Sequence, residues 1–466
     1  MVITQEAKSV ELSSVVQQQI ELKQRLIDFV MDADDEVAIA LEAFSAQQLS
    51  RWAKPTLSGL NRSELAVDMF VTEGTATYEK NNVATKKSIT QVFVESENEL
   101  SPNEKDSLSQ WASSFNGLFA IKEQEDQQYV LMNWLTQKKY VVFTNSQQAE
   151  ETLKRLSVGE MMIARLMPIS NEMWTFSGPL TLLGKLGKPK LAVAVGNFRQ
   201  WFPEHLYGDA PELKEAAWES VKEQYDDFVD LFGGKRVVMS GYELNKKLQT
   251  YQEQSTKKKL SEAGLDSSKS VKELAQEAGV SKEEVAEAVE SLGTEGKVAA
   301  TLLDSQKSLK MVMPKLELPE EIRRAEDVVA IAHPRWGQLF LKDLARLEAL
   351  LKENNNTEAV DKLVAKHLEQ AQAVLPVWQQ LVAEYSEPLE QSLRRVLKND
   401  EFVVKTDLEG ALTRYGKSLI PTLPDTASVP VHLHELFQAA LKAVGKDAKK
   451  SGGKKKKKAK KSGFGV

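Results

Sequence analysis

The last 21 residues of the chain, from Lys446 to Val466, cannot contribute to a folded core. They contain ten lysines and a single acid, Asp447, so their local charge is +9. Like charges at this density repel one another and keep a segment extended and solvated. The sequence therefore predicts a disordered Lys-rich tail at 445–466, and only the residues before it can form packed domains.

The body of the chain has the opposite charge. The whole chain carries −6, so residues 1–445 carry −15 once the +9 of the tail is removed. A flexible cationic segment gains affinity for nucleic acid by releasing counterions from phosphates, without reading bases. We therefore expect the tail to bind RNA or a ribonucleoprotein; the alternatives are a solubilising end, or a nuclear address in a eukaryote. The tail residues expected to make these contacts are Lys449, Lys450, Lys454, Lys455, Lys456, Lys457, Lys458, Lys460 and Lys461.

The composition is that of a globular protein with several domains. Of its 466 residues, 42% are hydrophobic and 27% charged. Cysteine is absent, which excludes disulfides, thiolate catalysis, zinc–thiolate sites and iron–sulfur clusters. The amino terminus lacks a basic region followed by an apolar run, and no apolar stretch approaches the roughly 18 residues that span a bilayer. We expect a soluble, cytoplasmic protein that does not use a membrane.

We predict an α+β fold, mainly helical, in several domains. In the first helical stretch, Val16, Gln19, Ile20, Lys23 and Leu26 follow one another at steps of three and four residues. The predicted order is a helical N-terminal region (1–74), a small β-barrel-like domain (115–203), a helical segment (204–248), a linker (249–269), a winged-helix-like module (270–303), a helical C-terminal domain (319–444) and the disordered tail (445–466).

The apolar period changes from helical to two after residue 115. Five short apolar runs are separated by polar residues, at 117–121, 129–132, 140–143, 161–166 and 173–176. Five short antiparallel strands within about 65 residues favour a small barrel or a strongly bent sheet.

One part of this region resembles a segment of uncharacterised bacterial proteins of cyanobacterial type. The residues that carry the resemblance are Gly159-Glu160, Ala164-Arg165-Leu166-Met167-Pro168, Trp174 and Ser177-Gly178-Pro179. The resemblance covers only 159–179. It implies a shared piece of fold and assigns no reaction and no functional residue.

Residues 270–303 resemble a small winged-helix module. Ser270 and Ser281 can each cap a helix, Gly279 supplies the turn between the two helices, and a strand pattern follows Gly296. In DNA-binding modules of this kind the second helix enters the major groove and is basic. Here the second helix, 282–292, holds four glutamates and one lysine, a net charge of −3. We therefore expect a protein-contacting or purely structural module.

A second basic cluster lies in the barrel region, with no acid between Gly184 and Pro203. Cations beside aromatic rings suit single-stranded nucleic acid, because any base can stack on a ring. The alternative is that residues 191–195 form a core strand and the aromatic residues pack against it. The cluster consists of Lys185, Lys188, Lys190 and Arg199, and the aromatic residues are Phe198, Trp201 and Phe202.

No motif indicates catalysis. The segment 184–189 lacks the spacing of a phosphate-binding loop, and neither a dinucleotide fingerprint nor a Gly-x-Ser-x-Gly elbow is present. His432 and His434 lack the helical spacing and the third ligand of a zinc site. We expect no cofactor, no metal and no small-molecule ligand, although a serine or threonine nucleophile would leave no local signature.

The interpretation that best fits these features is a non-catalytic adaptor. Its acidic folded body would bind a protein partner, while the tail tethers the assembly to RNA or a ribonucleoprotein. Two alternatives stay open: a protein-interaction scaffold that does not bind nucleic acid, and an enzyme whose site the sequence does not reveal. Salt-sensitive RNA binding would exclude the first, and a pocket of converging titratable groups with shifted pKa values would favour the second.

Overall fold

A computed structural model describes residues 2–52, 61–80, 83–125, 128–144, 156–170, 172–262, 311–312, 318–353, 357–441 and 443. Helices and strands are mixed, and the chain divides into two compact units, Met1–Pro211 and Glu212–Val466. The predicted winged-helix-like module and the Lys-rich tail lie outside the described residues.

The first unit combines a helical layer with a barrel. Its described helices are α1 (Val2–Met31), α2 (Glu36–Arg51), α3 (Arg62–Glu73), α4 (Ile89–Ser96), α5 (Pro102–Gln110) and α6 (Lys188–Trp201), with short 3-10 turns at Trp111–Ser113 and Pro203–His205. Its described strands are β1 (Thr75–Lys80), β2 (Val83–Ser88), β3 (Phe115–Glu125), β4 (Gln128–Asn133), β5 (Lys139–Phe143), β6 (Met161–Pro168), β7 (Met173–Phe176) and β8 (Thr181–Gly184).

Local sequence signals fix where the helices of this layer begin. The Asp35 carboxylate accepts a hydrogen bond from the backbone N–H of Val37 at the start of α2. Helices α4 and α5 each begin with a reciprocal capping box, formed by Ser88 with Gln91 and by Ser101 with Glu104. The described parts of 1–74 are helical as predicted. Apolar residues of all five helices then share one core, including Leu26, Val37, Phe70, Phe93 and Leu108.

The predicted five-stranded barrel is confirmed and is closed. The order around it is β3-β4-β5-β7-β6, and β6 returns to pair with β3. One expectation was wrong: β5 and β7 pair in parallel, with Val141 opposite Met173, while the other barrel pairs are antiparallel. Direction was not readable from alternation, because a period of two looks the same in either orientation. If the five barrel strands are numbered 1 to 5 along the chain, their order around the barrel is 1-2-3-5-4, and strand 4 pairs with strand 1. This order is the Greek-key connectivity of the OB-fold.

The barrel interior is filled with side chains. Phe115, Phe119, Tyr140 and Trp174 form a group of rings whose centroids lie 5.3–6.1 Å apart. The same core also contains Tyr129, Leu131, Val142 and Met162, all buried. Because aromatic and branched side chains occupy the lumen, these residues act as a packed core.

The segment after the barrel differs from the sequence-based alternative of a core strand at 191–195. These residues lie in α6, with Leu191, Val195, Phe198 and Trp201 buried along one side of the helix. A run of five small apolar residues does not distinguish strand from helix. The spacing of the buried residues, by four, three and three, is helical.

The second unit contains a sheet between two helical layers. Its described helices are α7 (Pro211–Phe232), α8 (Gly241–Glu262), α9 (Glu320–Arg323), α10 (Leu344–Glu353), α11 (Thr357–Glu369), α12 (Leu375–Leu397) and α13 (Val404–Arg414), and residues 431–441 are also helical. Its described strands are β9 (Arg236–Met239), β10 (Met311–Val312), β11 (Val328–His333), β12 (Gly337–Lys342) and β13 (Val429–Pro430).

This sheet corrects the prediction of a helical segment at 204–248 and a helical C-terminal domain at 319–444, because both ranges also contain strands. Strands β12, β11 and β9 pair in that order, antiparallel throughout. Alternate residues of β11 face opposite layers: Val328 packs in the core with α7 and α8, and Val329 packs in the core with α10 to α13. A strand buried on both faces has a continuous apolar sequence, so it lacks the alternation that reveals a half-exposed strand.

The predicted linker at 249–269 is also partly wrong. Helix α8 continues from Gly241 to Glu262, so the first 14 residues of that segment are helical. Lys, Gln and Glu are good helix formers, and a polar composition alone does not indicate a break.

Candidate functional site

Five ionisable side chains of the first unit meet where helices α1 and α3 approach the barrel. Four of them, on α1, α3, β6 and the 3-10 turn after α6, are almost completely buried, with side chains no more than 8% exposed. Charged groups are seldom buried unless they are paired. The members of this buried ion network are Lys23, Asp68, Glu73, Arg165 and His205.

Lys23 connects α1 to α3 and to the end of β7. Its ammonium group donates to Oδ1 of Asp68, to the carbonyl oxygen of Ser177 at 2.5 Å and to Oγ of Ser177 at 2.8 Å. These contacts use all three donors of the ammonium group. The Ser177 hydroxyl in turn donates to Oδ1 of Asp68 at 3.1 Å. Lys23 is therefore held from two elements at once.

Arg165, in the centre of β6, lies between the carboxylates of Asp68 and Glu73. Its Nη2 donates to Oγ1 of Thr72 at 2.6 Å and to Oε2 of Glu73 at 3.4 Å, and its Nε lies 3.6 Å from Oδ2 of Asp68. Its Nη1 has no hydrogen-bond partner among the described residues. Since all eight residues of β6 are buried, the guanidinium is fixed inside the unit.

His205 contacts Glu73 and is the last residue of the network, on the side away from Lys23. Its Nδ1 accepts a hydrogen bond from the backbone N–H of Asn116 at 3.4 Å, which turns Nε2 towards Glu73. Nε2 then donates to Glu73, whose two carboxylate oxygens lie 3.2 and 3.3 Å away. The network thus extends from α1 through α3 and β6 to the 3-10 turn after α6.

Burial and pairing shift the titration of these groups in opposite ways. Burial, together with the nearby Arg165, lowers the pKa of Lys23 to about 7. Burial alone would raise the pKa of Glu73, but His205 and Arg165 outweigh it and lower that pKa to about 2. Burial also lowers the pKa of Arg165. The network therefore keeps a carboxylate ionised well into acid and makes a lysine proton labile near neutrality.

Gly178 leaves room for the network. A Cβ at this position would lie 2.6 Å from Oδ2 of Asp68. Arg165, Ser177 and Gly178 all belong to the segment 159–179 singled out in the sequence, so that segment supplies the barrel side of the network.

We expect Glu73→Gln to lower the free energy of unfolding by about 3 kcal/mol at pH 7, since its pKa falls from 4.5 to about 2 on folding. A depressed carboxyl pKa stabilises the folded state fully above pH 4.5, and this stabilisation is lost as the pH falls towards 2. Urea unfolding of the full chain from pH 2 to 7 measures it, with the exposed Glu99→Gln as matched control. A Glu73→Gln effect that does not change with pH would contradict the assignment.

The predicted basic cluster is only partly brought together. Lys185, Lys188 and Lys190 are exposed around the start of α6, whose first turn contains no acid. Lys185 also lies beside Gly159, before β6. Arg199 is in the last turn of α6, about 16 Å along the helix from Lys188, and is half-buried. The cluster is thus three lysines, with Arg199 apart from them.

The aromatic residues beside these lysines do not form a base-stacking surface. Phe198 and Phe202 are fully buried and Trp201 is 5% exposed. The Phe202 ring packs against Trp52, the residue after α2, with centroids 5.6 Å apart, and the Trp52 indole N–H donates to the carbonyl of Trp201. These rings join α6 to α2, and the packing alternative is correct for them.

The second unit has an open groove of about 490 Å³ between α10 and α11. Its charged residues are Asp343, Arg346, Lys362, Lys366 and Glu369, and Lys366 pairs with Asp343 at 2.6 Å. The lysine in this pair is 45% exposed, so water screens the charge. The groove lacks the buried, converging titratable groups that mark a catalytic pocket.

Comparison with protein-family models, curated proteins and solved structures found no match to this chain. Within the described ranges, no helix has the length and apolar character required to cross a bilayer. The same ranges contain no group of three or more His, Asp or Glu side chains placed to hold a metal ion.

Proposed function

We propose that this protein is a non-catalytic adaptor, in which an acidic folded body binds a protein partner and the Lys-rich tail tethers the assembly to RNA or a ribonucleoprotein. The observation that carries the proposal is the charge distribution, +9 in the tail against −15 in the body. A flexible tether raises the local concentration of whatever the body binds, so the tail need not bind tightly on its own.

The buried ion network supports a structural use of the ionisable groups in the barrel unit. Lys23 and Arg165 both contact Asp68, and the three residues join α1, α3 and β6. Their side chains are at most 8% exposed, which keeps them from a substrate in solution. Groups with strongly shifted pKa values also occur in structural ion pairs, and this geometry favours that interpretation.

The exposed lysines at the start of α6 provide a second cationic surface on the body. The first-turn N–H groups of a helix carry partial positive charge, so Lys188 and Lys190 add charge where phosphate is already favoured. The OB-like connectivity is compatible with nucleic-acid binding, but fold alone does not determine function. Because the nearby rings are buried, we assign these lysines phosphate contacts without base stacking.

The acidic winged-helix-like module at 270–303 is proposed as a protein-contacting part of the body. Four glutamates on its second predicted helix would be repelled by phosphates and attracted by a basic protein surface. Protein contact therefore accounts for its charge better than groove binding does.

Replacing the nine lysines from Lys449 to Lys461 with glutamine is expected to weaken binding to single-stranded RNA at least about tenfold at low salt. The matched control replaces the same lysines with arginine, which keeps the charge and should keep the affinity. Fluorescence anisotropy with a labelled RNA measures both. A glutamine variant that binds as tightly as the natural chain would exclude the tail as the tether.

A further inference from the structure

The turn between β11 and β12 places an arginine on a tryptophan of α7, within the second unit. His333 pairs with Gly337 at the base of this turn. The Arg335 guanidinium lies over the Trp218 ring, 5.2 Å from the ring centroid. Arg335 is exposed, and Trp218 and its sequence neighbour Trp336 are half-buried, so both rings keep part of their surface in water. We call Trp218, Arg335 and Trp336 the tryptophan–arginine surface.

Local hydrogen bonds hold the turn that carries this surface. Nδ1 of His333 accepts from the backbone N–H of Arg335 at 3.1 Å and from that of Trp336 at 3.2 Å. Burial, and then the nearby Lys235, lower the pKa of His333, which keeps the ring neutral and able to accept. The backbone of the turn is therefore fixed before any ligand binds, and a fixed site binds at a lower entropic cost.

Cations outnumber acids around Trp218, although the body as a whole is acidic. Arg335 makes no ion pair with the residues that the structure describes. Lys222, four residues after Trp218 on the same side of α7, is exposed. Lys235 is also exposed, and its carbonyl accepts a hydrogen bond from the end of β11. An acid on this side of α7 is Glu215, three residues before Trp218.

Building on the RNA tether proposed above, we propose that the tryptophan–arginine surface is a stacking site for bases of the single-stranded RNA that the tail holds. The Arg335 guanidinium has one flat face on Trp218, and a base can stack on the other face. The neighbouring cations would contact phosphates of the same strand. An acidic peptide would also be attracted by the cations, but it would gain nothing from the flat faces.

An RNA oligomer with bases and one without bases distinguish this site from the tail. We expect the full chain to bind an oligouridylate of about 12 nucleotides at least about fivefold more tightly than an abasic ribose-phosphate oligomer of equal length. Fluorescence anisotropy measures both affinities at about 200 mM salt, where the phosphate contacts of the tail are weakened. Lysine contacts to phosphate are the same in both oligomers, so the tail gives no preference for bases.

The variant Arg335→Lys/Trp336→Leu should reduce this preference to less than about twofold, because lysine keeps the charge but lacks the flat guanidinium. The matched control, Arg346→Lys/Tyr242→Leu, makes corresponding changes at two exposed positions of the second unit and should keep the preference. Urea unfolding checks that both variants fold. If Trp336→Leu disturbs the turn, Arg335→Lys alone replaces the double variant, and it should lower the preference at least about twofold.

The outcomes separate this proposal from the tether. Equal affinity of the natural chain for the two oligomers, or a preference that survives in the folded variant, would overturn the stacking site and leave the tether intact. Oligoglutamate that binds the control more tightly than the variant, while RNA does not, would assign the surface to an acidic protein segment instead. Binding of neither oligomer, even at about 50 mM salt, would contradict the tether itself and the stacking site with it.

Discussion

Replacing Asp68 with alanine is expected to lower the free energy of unfolding by about 3–5 kcal/mol, the largest effect of any single substitution considered for this protein. Asp68 is the carboxylate that contacts both Lys23 and Arg165, and its side chain is only 4% exposed. Its removal leaves two cations buried with one fewer anion, and neither can turn to water without unpacking α1 or β6.

The measurement is urea unfolding of the full chain at pH 7, with hydrogen exchange of β6 amides to assign the transition to the barrel. The matched control is Lys23→Met/Asp68→Leu, which removes the pair together and leaves Arg165 with Glu73. This double variant should cost less than Asp68→Ala alone, because replacing a whole buried pair is often tolerated. A double variant that is destabilised at least as much as Asp68→Ala would show that the two residues do not act as a unit.

The affinity of the full chain for single-stranded RNA is expected to fall steeply with salt. Each phosphate contact contributes a slope of about −0.7 to a plot of log affinity against log salt concentration. Five to eight contacts by the tail would then lower the affinity roughly 100- to 2,000-fold between about 50 and 200 mM salt. RNAs of different sequence but equal length should give the same slope, because lysine contacts to phosphate carry no sequence information. A shallow slope, or a marked sequence preference, would argue for recognition by the folded body.

The barrel was accessible from the sequence because its apolar runs are short and separated by polar turns, and because β4 and β5 alternate between buried and more exposed residues. The five predicted runs correspond to β3 to β7. Their relative directions were not accessible, since the parallel β5–β7 pair depends on how the chain crosses between the two strands. The sheet of the second unit was missed for a related reason. Both sides of β11 are covered, so its sequence lacks the alternating polar residues on which the prediction relied.

The buried ion network was missed because its members are far apart along the chain. Lys23 and Asp68 are 45 residues apart, and Ser177 is 154 residues from Lys23. Two local signals were nevertheless present. Lys23 falls on the apolar side of a predicted helix, and Arg165 interrupts an otherwise apolar strand. A charge in such a place needs a partner, although the sequence does not identify which one.

Helix α6 shows the opposite case, in which the information was local and was misinterpreted. The run 191–195 suggested a strand, yet adding Phe198 and Trp201 gives a helical spacing. That change of element also turns Phe198, Trp201 and Phe202 from candidate stacking surfaces into core residues. The lysines beside them stay exposed, so the basic part of the prediction remains open while the aromatic part is wrong.

The most direct test of the adaptor proposal is the affinity of the full chain and of a chain ending at residue 445 for the same single-stranded RNA, at about 50 mM salt. We predict that the full chain binds and that the shortened chain binds at least about tenfold more weakly. Equal affinity of the two chains would contradict the proposal, and it would move the RNA contact to the lysines at the start of α6.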